Sequence, residues 1–136
     1  MDAKELVIVD ASVIIKWIVD EADSDGSKSI LKQYNDGEIE LGIVSHTFAE
    51  VLNILGLKKN ELASEFFSYL LMLEMKEFKI EMEAIALALN IMKKYQGVSF
   101  YDALYHGTAL KFGGTFVTAD KKYFEKVWKE GAIRLV

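Results

Sequence analysis

Residues 6–17 read LVIVDASVIIKW, and the order of residue types within them decides the fold class. Leu6, Val7, Ile8 and Val9 form a continuous apolar run rich in β-branched side chains, the pattern of a strand buried on both faces. Asp10 interrupts it, and Val13 to Ile15 then resume an apolar segment with helical spacing. Burying an unpaired carboxylate is costly enough that the group normally neutralises or finds a partner. Asp10 is therefore either a local device such as a helix N-cap, or a group that faces positive charge.

Outward from this stretch, the spacing predicts a helix over 12–19, a polar loop over 20–26 and a helix over 27–37 with Ile30, Leu31 and Tyr34 on one face. Asn35-Asp36-Gly37 is its stop signal. A second strand is expected over 39–45 and a helix over 46–57, where Phe48, Val51, Leu52 and Leu55 recur at three and four residues. A long helix over 60–75 becomes apolar on nearly every side from Tyr69 to Leu73. A weak third strand is read at 78–81, and two helices at 84–97 and 99–114 each close on glycine. Short strands at 115–118 and 132–136 flank a helix over 120–130. Strands separated by helices imply an α/β protein whose sheet is mainly parallel and covered on both faces.

One domain spanning 1–136 is expected at this length. Hydrophobic residues make up 51% of the chain and charged residues 27%, which is globular rather than disordered. No charged-then-apolar leader and no apolar run approaching about 18 residues is present, so a soluble, cytoplasmic protein without membrane association is expected. Cysteine is absent, which removes disulfides, thiolate zinc sites and a thiol nucleophile. The net charge of −5, with Arg134 the only arginine, argues against tight nonspecific nucleic-acid binding. Lys121, Lys122, Lys126 and Lys129 form either a solvated helix face or a local basic patch.

Four carboxylates have ordinary structural readings when taken singly. Asp10 and Asp120 sit where N-caps belong, Asp102 completes a capping box with Ser99, and Glu50 lies at the edge of an apolar helix stripe. Their joint placement asks for more. Asp10 and Asp120 follow the carboxyl ends of strands, and Glu50 lies one turn into the helix after another strand. That edge is where parallel α/β sheets bind ligands. Asp102, one turn into its own helix, can reach the same edge. Carboxylates gathered there would repel one another, protonate in part or recruit a cation. With no cysteine and only His46 and His106, an all-oxygen site for Mg²⁺ or Mn²⁺ is favoured over zinc.

At this point VIVDASVIIKW, SHTFAEVLNIL, SFYDALY and TFVTADKKYF resemble, in order and spacing, the signature segments of the PIN domain, and more narrowly the VapC-type toxins of prokaryotic toxin–antitoxin pairs. The resemblance runs through almost the whole chain. It implies a three-layer α/β/α fold with a central sheet of about five strands, and a metal-dependent ribonuclease activity on RNA. Carried over by residue, it implies that Asp10 and Asp102 are the principal Mg²⁺ (or Mn²⁺) ligands. Glu50 and Asp120 would complete the acidic pocket indirectly or through water, with Ser12 and Thr118 as supporting hydroxyls. It also implies an antitoxin partner and a homodimer, for which the apolar helix around Tyr69 to Met75 is a candidate surface. The chain departs from the pattern at Lys122, where some relatives carry an acid, and at His106-Gly107, where small apolar residues are commoner.

Other chemistries fit less well. A haloacid-dehalogenase-type phosphatase would want an acid where Ser12 stands, a receiver domain has no use for SFYDALY, and a Ser–His–Asp hydrolase would need a G-x-S-x-G elbow. From another class, a catalytically silent RNA- or protein-binding module on the same fold remains the alternative.

Overall fold

A computed structural model describes residues 3–19 and 23–136. Among them, β1 (Glu5–Val9), β2 (Ile39–Val44), β3 (Lys76–Phe78), β4 (Thr115–Thr118) and β5 (Ile133–Leu135) form one sheet in the order β3-β2-β1-β4-β5. Every adjacent pair is parallel, with Val7 opposite Leu41 on one side of β1 and Thr115 on the other. β1 is thus the central strand, and its residues Val7, Ile8 and Val9 are fully buried because both faces are covered.

Strand alternation sends side chains into two separate cores. Val7, Val9, Leu41, Ile43 and Val117 pack against α1 (Ala11–Ile15), α2 (Asp25–Asn35), α3 (Thr47–Lys58) and α4 (Asn60–Met72). Ile8, Val44 and Phe116 point the other way, against α5 (Met82–Lys94), α6 (Phe100–Phe112) and α7 (Lys121–Val127), which continues as a 3-10 turn at Trp128–Glu130. The expected three-layer α/β/α arrangement is what the chain adopts. Val51 and Leu55 anchor α3, and Phe66 and Leu70 anchor α4. α5 and α6 meet backbone to backbone at Gly107, where a Cβ would lie 2.6 Å from the Ala84 carbonyl oxygen. Only glycine fits that crossing.

Three sequence expectations need correction. The third strand is Lys76–Phe78 rather than 78–81. Glu74 takes a left-handed φ of 52° just beyond α4, so the chain turns into the sheet early, and three residues with only Phe78 buried leave no periodicity to read. The helix predicted over 12–19 is α-helical only to Ile15. It continues as tight turns, with the amides of Lys16, Trp17 and Ile18 each bonding three residues back, and the Trp17 indole N–H donates to the Ser27 carbonyl. Of the polar loop expected over 20–26, residues 20–22 lie outside the described residues, and Asp25 already opens α2.

Candidate metal and phosphodiester site

The strand order reverses direction at β1: β2 and β3 lie to one side of it, β4 and β5 to the other. Such a reversal leaves a crevice beyond the carboxyl ends of the two strands. Asp10, directly after β1, and Asp120, two residues after β4, stand at its walls. Asp102 enters from the first turn of α6, and Glu50 from the first turn of α3. All four carboxylates line one pocket of about 190 Å³, together with Ser12, Ile54 and Tyr105.

Asp10 is the most constrained of the four. It is 5% exposed. Its Oδ1 accepts from the Ser12 hydroxyl at 2.5 Å and from the Val13 amide at 3.2 Å, and its Oδ2 accepts from the Thr118 hydroxyl at 2.7 Å. The capping role read from the sequence is therefore real, through Val13 N–H. The network runs on: Ser12 Oγ accepts from Ala119 N–H, and Thr118 Oγ1 from Asp120 N–H, which tie the end of β4 to the end of β1. Burial pushes the Asp10 carboxyl up from 3.8 to about 6, against the three donors that pull it down, and the charge of Asp102 adds to the rise.

Asp102 is half-buried and held more loosely. Ser99 caps α6 by accepting from Asp102 N–H at 3.2 Å, and its hydroxyl lies 3.1 Å from Asp102 Oδ2. Burial raises its carboxyl despite Ser99, and the charges of Asp120 and Glu50 raise it further. Glu50 behaves oppositely. Burial pushes it up, but His46 and Tyr105 more than offset that and hold it below the usual range. The Tyr105 phenol stands 2.7 Å from Glu50 Oε1 and 3.0 Å from Thr47 Oγ1, which itself accepts from Val44 N–H. A phenol has one proton to give. Donated to the carboxylate, it leaves Thr47 to donate back, and the chain of bonds anchors Glu50 to the end of β2. His46 Nε2 lies 3.1 Å from Glu50 Oε1, although neither ring nitrogen has a well-directed hydrogen-bond partner. Asp120 caps α7 through Tyr123 N–H at 3.1 Å.

Tyr105 and Thr47 escaped the sequence reading. Tyr105 follows Asp102 by three residues, so the two share a helix face, and that spacing was the available signal. His106, by contrast, does not reach the pocket. It is fully buried, with Nε2 2.7 Å from the Gly131 carbonyl and Nδ1 2.9 Å from the Tyr123 hydroxyl. A carbonyl can only accept, so the Nε2–H tautomer is fixed and Tyr123 donates to Nδ1. The unusual His106-Gly107 pair is thus structural: one residue ties α6 to the turn before β5, and the other seats α6 on α5.

The donor set fits a hard divalent cation. The site offers oxygen alone, Asp10 Oδ2 accepts one bond and keeps a lone pair, and Asp102 Oδ1 has no partner among the described residues. No three of the described His, Asp or Glu side chains converge as a ready-made metal cage. Mg²⁺ does not ask for one, since it typically takes one or two carboxylates and completes its shell with water and phosphate oxygens.

A family model for the PIN domain matches residues 7–129. The chain belongs to the PIN domain family. Solved PIN-fold structures agree with it closely in shape and little in sequence. A protein of a Klebsiella pneumoniae toxin–antitoxin complex superposes with a TM-score of 0.71 at 16% identity, over 94% of this chain and 95% of that one. The VapC20 toxin of Mycobacterium tuberculosis, described as cleaving the sarcin–ricin loop, gives 0.65 at 14%, over 83% and 87%. A chain of Rickettsia felis VapBC2 bound to a promoter DNA fragment gives 0.71 at 14%, over 96% and 97%. Comparison with curated proteins finds no significant match. Among the described residues, no helix of this PIN domain is long and apolar enough to cross a membrane.

Proposed function

We propose that this PIN domain is a Mg²⁺- or Mn²⁺-dependent ribonuclease and the VapC-type toxin of a toxin–antitoxin pair. The observation that carries the reading is the gathering of Asp10, Glu50, Asp102 and Asp120 around one pocket; burial is the main cause that raises Asp10 and Asp102, and to it the charge of Asp102 adds at Asp10, and those of Asp120 and Glu50 at Asp102. Helix capping and packing never require carboxylates to be brought within reach of each other's charge. Likeness to a toxin described as cleaving the sarcin–ricin loop supports RNA as the substrate class.

Asp10 and Asp102 would hold the ion. When bound there, it supplies charge neutralisation for the phosphate oxygens and a more acidic water. Ser12 and Thr118 fix the orientation of the Asp10 carboxylate. Glu50, held low by Tyr105 and the nearby His46 ring, and Asp120 set the negative field that favours the cation. No side chain needs to form a covalent bond to phosphorus: water would supply the new P–O bond while the bond to one bridging ribose oxygen breaks, and that oxygen leaves with a proton from the water.

Digestion of total cellular RNA by purified wild type and Asp102→Asn, with Mg²⁺ or Mn²⁺ and with chelator, tests this. Cleavage by wild type alone, abolished by chelator, is the expected result. Equal cleavage by the variant, free of contaminating nuclease, would sink the site. No cleavage and no metal binding by titration would leave the silent binding module.

The antitoxin and the second copy belong to the same reading. Leu71 and Met72 of α4 are 54% and 81% exposed, beside a groove formed by Ile18, Leu62, Glu65, Phe66 and Tyr69. Exposed apolar patches mark partner surfaces, and several structural neighbours are toxin–antitoxin complexes. A homodimer in sedimentation at micromolar concentration is expected, and a strictly monomeric chain would count against it.

A further inference from the structure

A second recess opens beside the acidic pocket and shares two of its walls. Asp102 and Asp120 line both; the recess adds Gly97, Ser99, Lys122 and Lys126. The four C-terminal lysines singled out in the sequence divide here. Lys121 lies 3.8 Å from Glu125, and the Lys129 ammonium lies over the Trp128 ring. Lys122 and Lys126, four residues apart and so on one face of α7, turn to the recess. Among the described residues neither forms an ion pair with a carboxylate, although two carboxylates share the recess with them. The hydrogen bond that Lys126 makes goes to the Gln96 carbonyl at 3.4 Å.

We infer that Lys122 and Lys126 form a subsite for a backbone phosphate of the substrate strand next to the scissile one. The inference rests on the ribonuclease reading and adds to it which way the strand leaves the metal site. The chemistry follows from charge. A ribonuclease with a net charge of −5 and four acids at its centre must hold a polyanion. The ion at Asp10 and Asp102 answers for one phosphate; the next has only fixed cations to meet. In the recess Lys122 and Lys126 balance Asp102 and Asp120, so the wall is neutral without metal and cationic once a divalent ion is bound. Lysine serves as a point charge for phosphate. The bases are not read here, so the subsite positions the strand without choosing its sequence.

The test compares three proteins in an Asp102→Asn background, which prevents turnover and is common to all: the parent, the double variant Lys122→Gln/Lys126→Gln, and Lys121→Gln. The probe is a 5′-fluorescein 12-nucleotide single-stranded RNA with Mg²⁺, bound at increasing NaCl. The double variant is expected to bind about tenfold more weakly at low salt. Its plot of log affinity against log salt should flatten by roughly 0.7 for each phosphate that the lysines no longer neutralise. Lys121→Gln, the same charge change on the same helix outside the recess, should match the parent. A walk of single neutral methylphosphonate linkages should find one whose presence weakens the parent but not the double variant. Equal affinity and slope in parent and double variant, or an equal weakening in Lys121→Gln, would overturn the subsite. So would failure of the parent to bind RNA. In that case, cleavage of total RNA by wild type decides whether the ribonuclease reading falls with it.

Discussion

Asp10 and Asp102 face one pocket and are built in opposite ways. Asp10 sits at the tip of the central strand, nearly sealed from solvent, with three donors on its oxygens. Asp102 stands half-exposed on the first turn of a helix, steadied among the described residues by Ser99. The strand-end acid is hard to keep ionised and rigidly aimed. The helix acid is less enclosed, and its Oδ1 has no partner among the described residues. A cation bound by both, as proposed, would meet one fixed ligand and one adjustable ligand.

The sharpest way to break this contrast is to neutralise each acid in turn. Asp102→Asn should lower RNA cleavage by roughly 10²-fold or more, while its unfolding free energy stays within about 0.5 kcal/mol of wild type, as usual for a partly exposed site. Asp10→Asn should also abolish cleavage, yet stabilise the metal-free protein. An acid raised from 3.8 to about 6 binds its proton more tightly when folded. Its effect on wild-type stability is therefore most adverse above about pH 6, by roughly 3 kcal/mol, and fades as pH falls toward 4. Urea unfolding in chelator at pH 7 and pH 4.5 checks the sign: the advantage of Asp10→Asn should be present at the first and largely gone at the second.

Next in size, Thr118→Val removes one donor to the buried Asp10 and leaves Asp120 N–H without its acceptor, a destabilisation of about 2 kcal/mol readable in the same denaturation. Ser99→Ala should cost about 1 kcal/mol as a missing N-cap. If Ser99→Ala proved the more damaging of the two, the contrast between a rigid and an adjustable wall would be wrong.

How much of this is legible in the sequence follows the same division. The mainly parallel α/β class, a buried strand at β1 and the place of the four acids at strand and helix ends are readable because each rests on local pattern: an apolar run, a helical period, a carboxylate at a strand or helix end. β3 is misplaced because an edge strand of three residues, entered through a left-handed Glu74, has no period to show. The partners of Glu50 stay hidden because Tyr105 is 55 residues away and only the packing of α6 against the sheet brings it there. His106-Gly107 reads in the sequence as a departure that alters access to the pocket or means nothing. It is instead a pair of packing solutions, one through a fixed tautomer and one through an absent side chain. Nothing visible in composition divides the lysine cluster; helix phase alone turns Lys122 and Lys126 inward to the recess and leaves Lys121 to Glu125.

The strand order also has a meaning in time. Translation delivers Asp10 long before Asp120, and β1 stays without one of its two neighbours until β4 has been made. Thr118, which orients the first acid, arrives with that late strand. The acidic pocket therefore stays unfinished on the ribosome until β4 and Asp120 have been made. A premature stop codon before β4 removes Asp120 from the pocket and leaves Asp10 without the Thr118 hydroxyl that orients it.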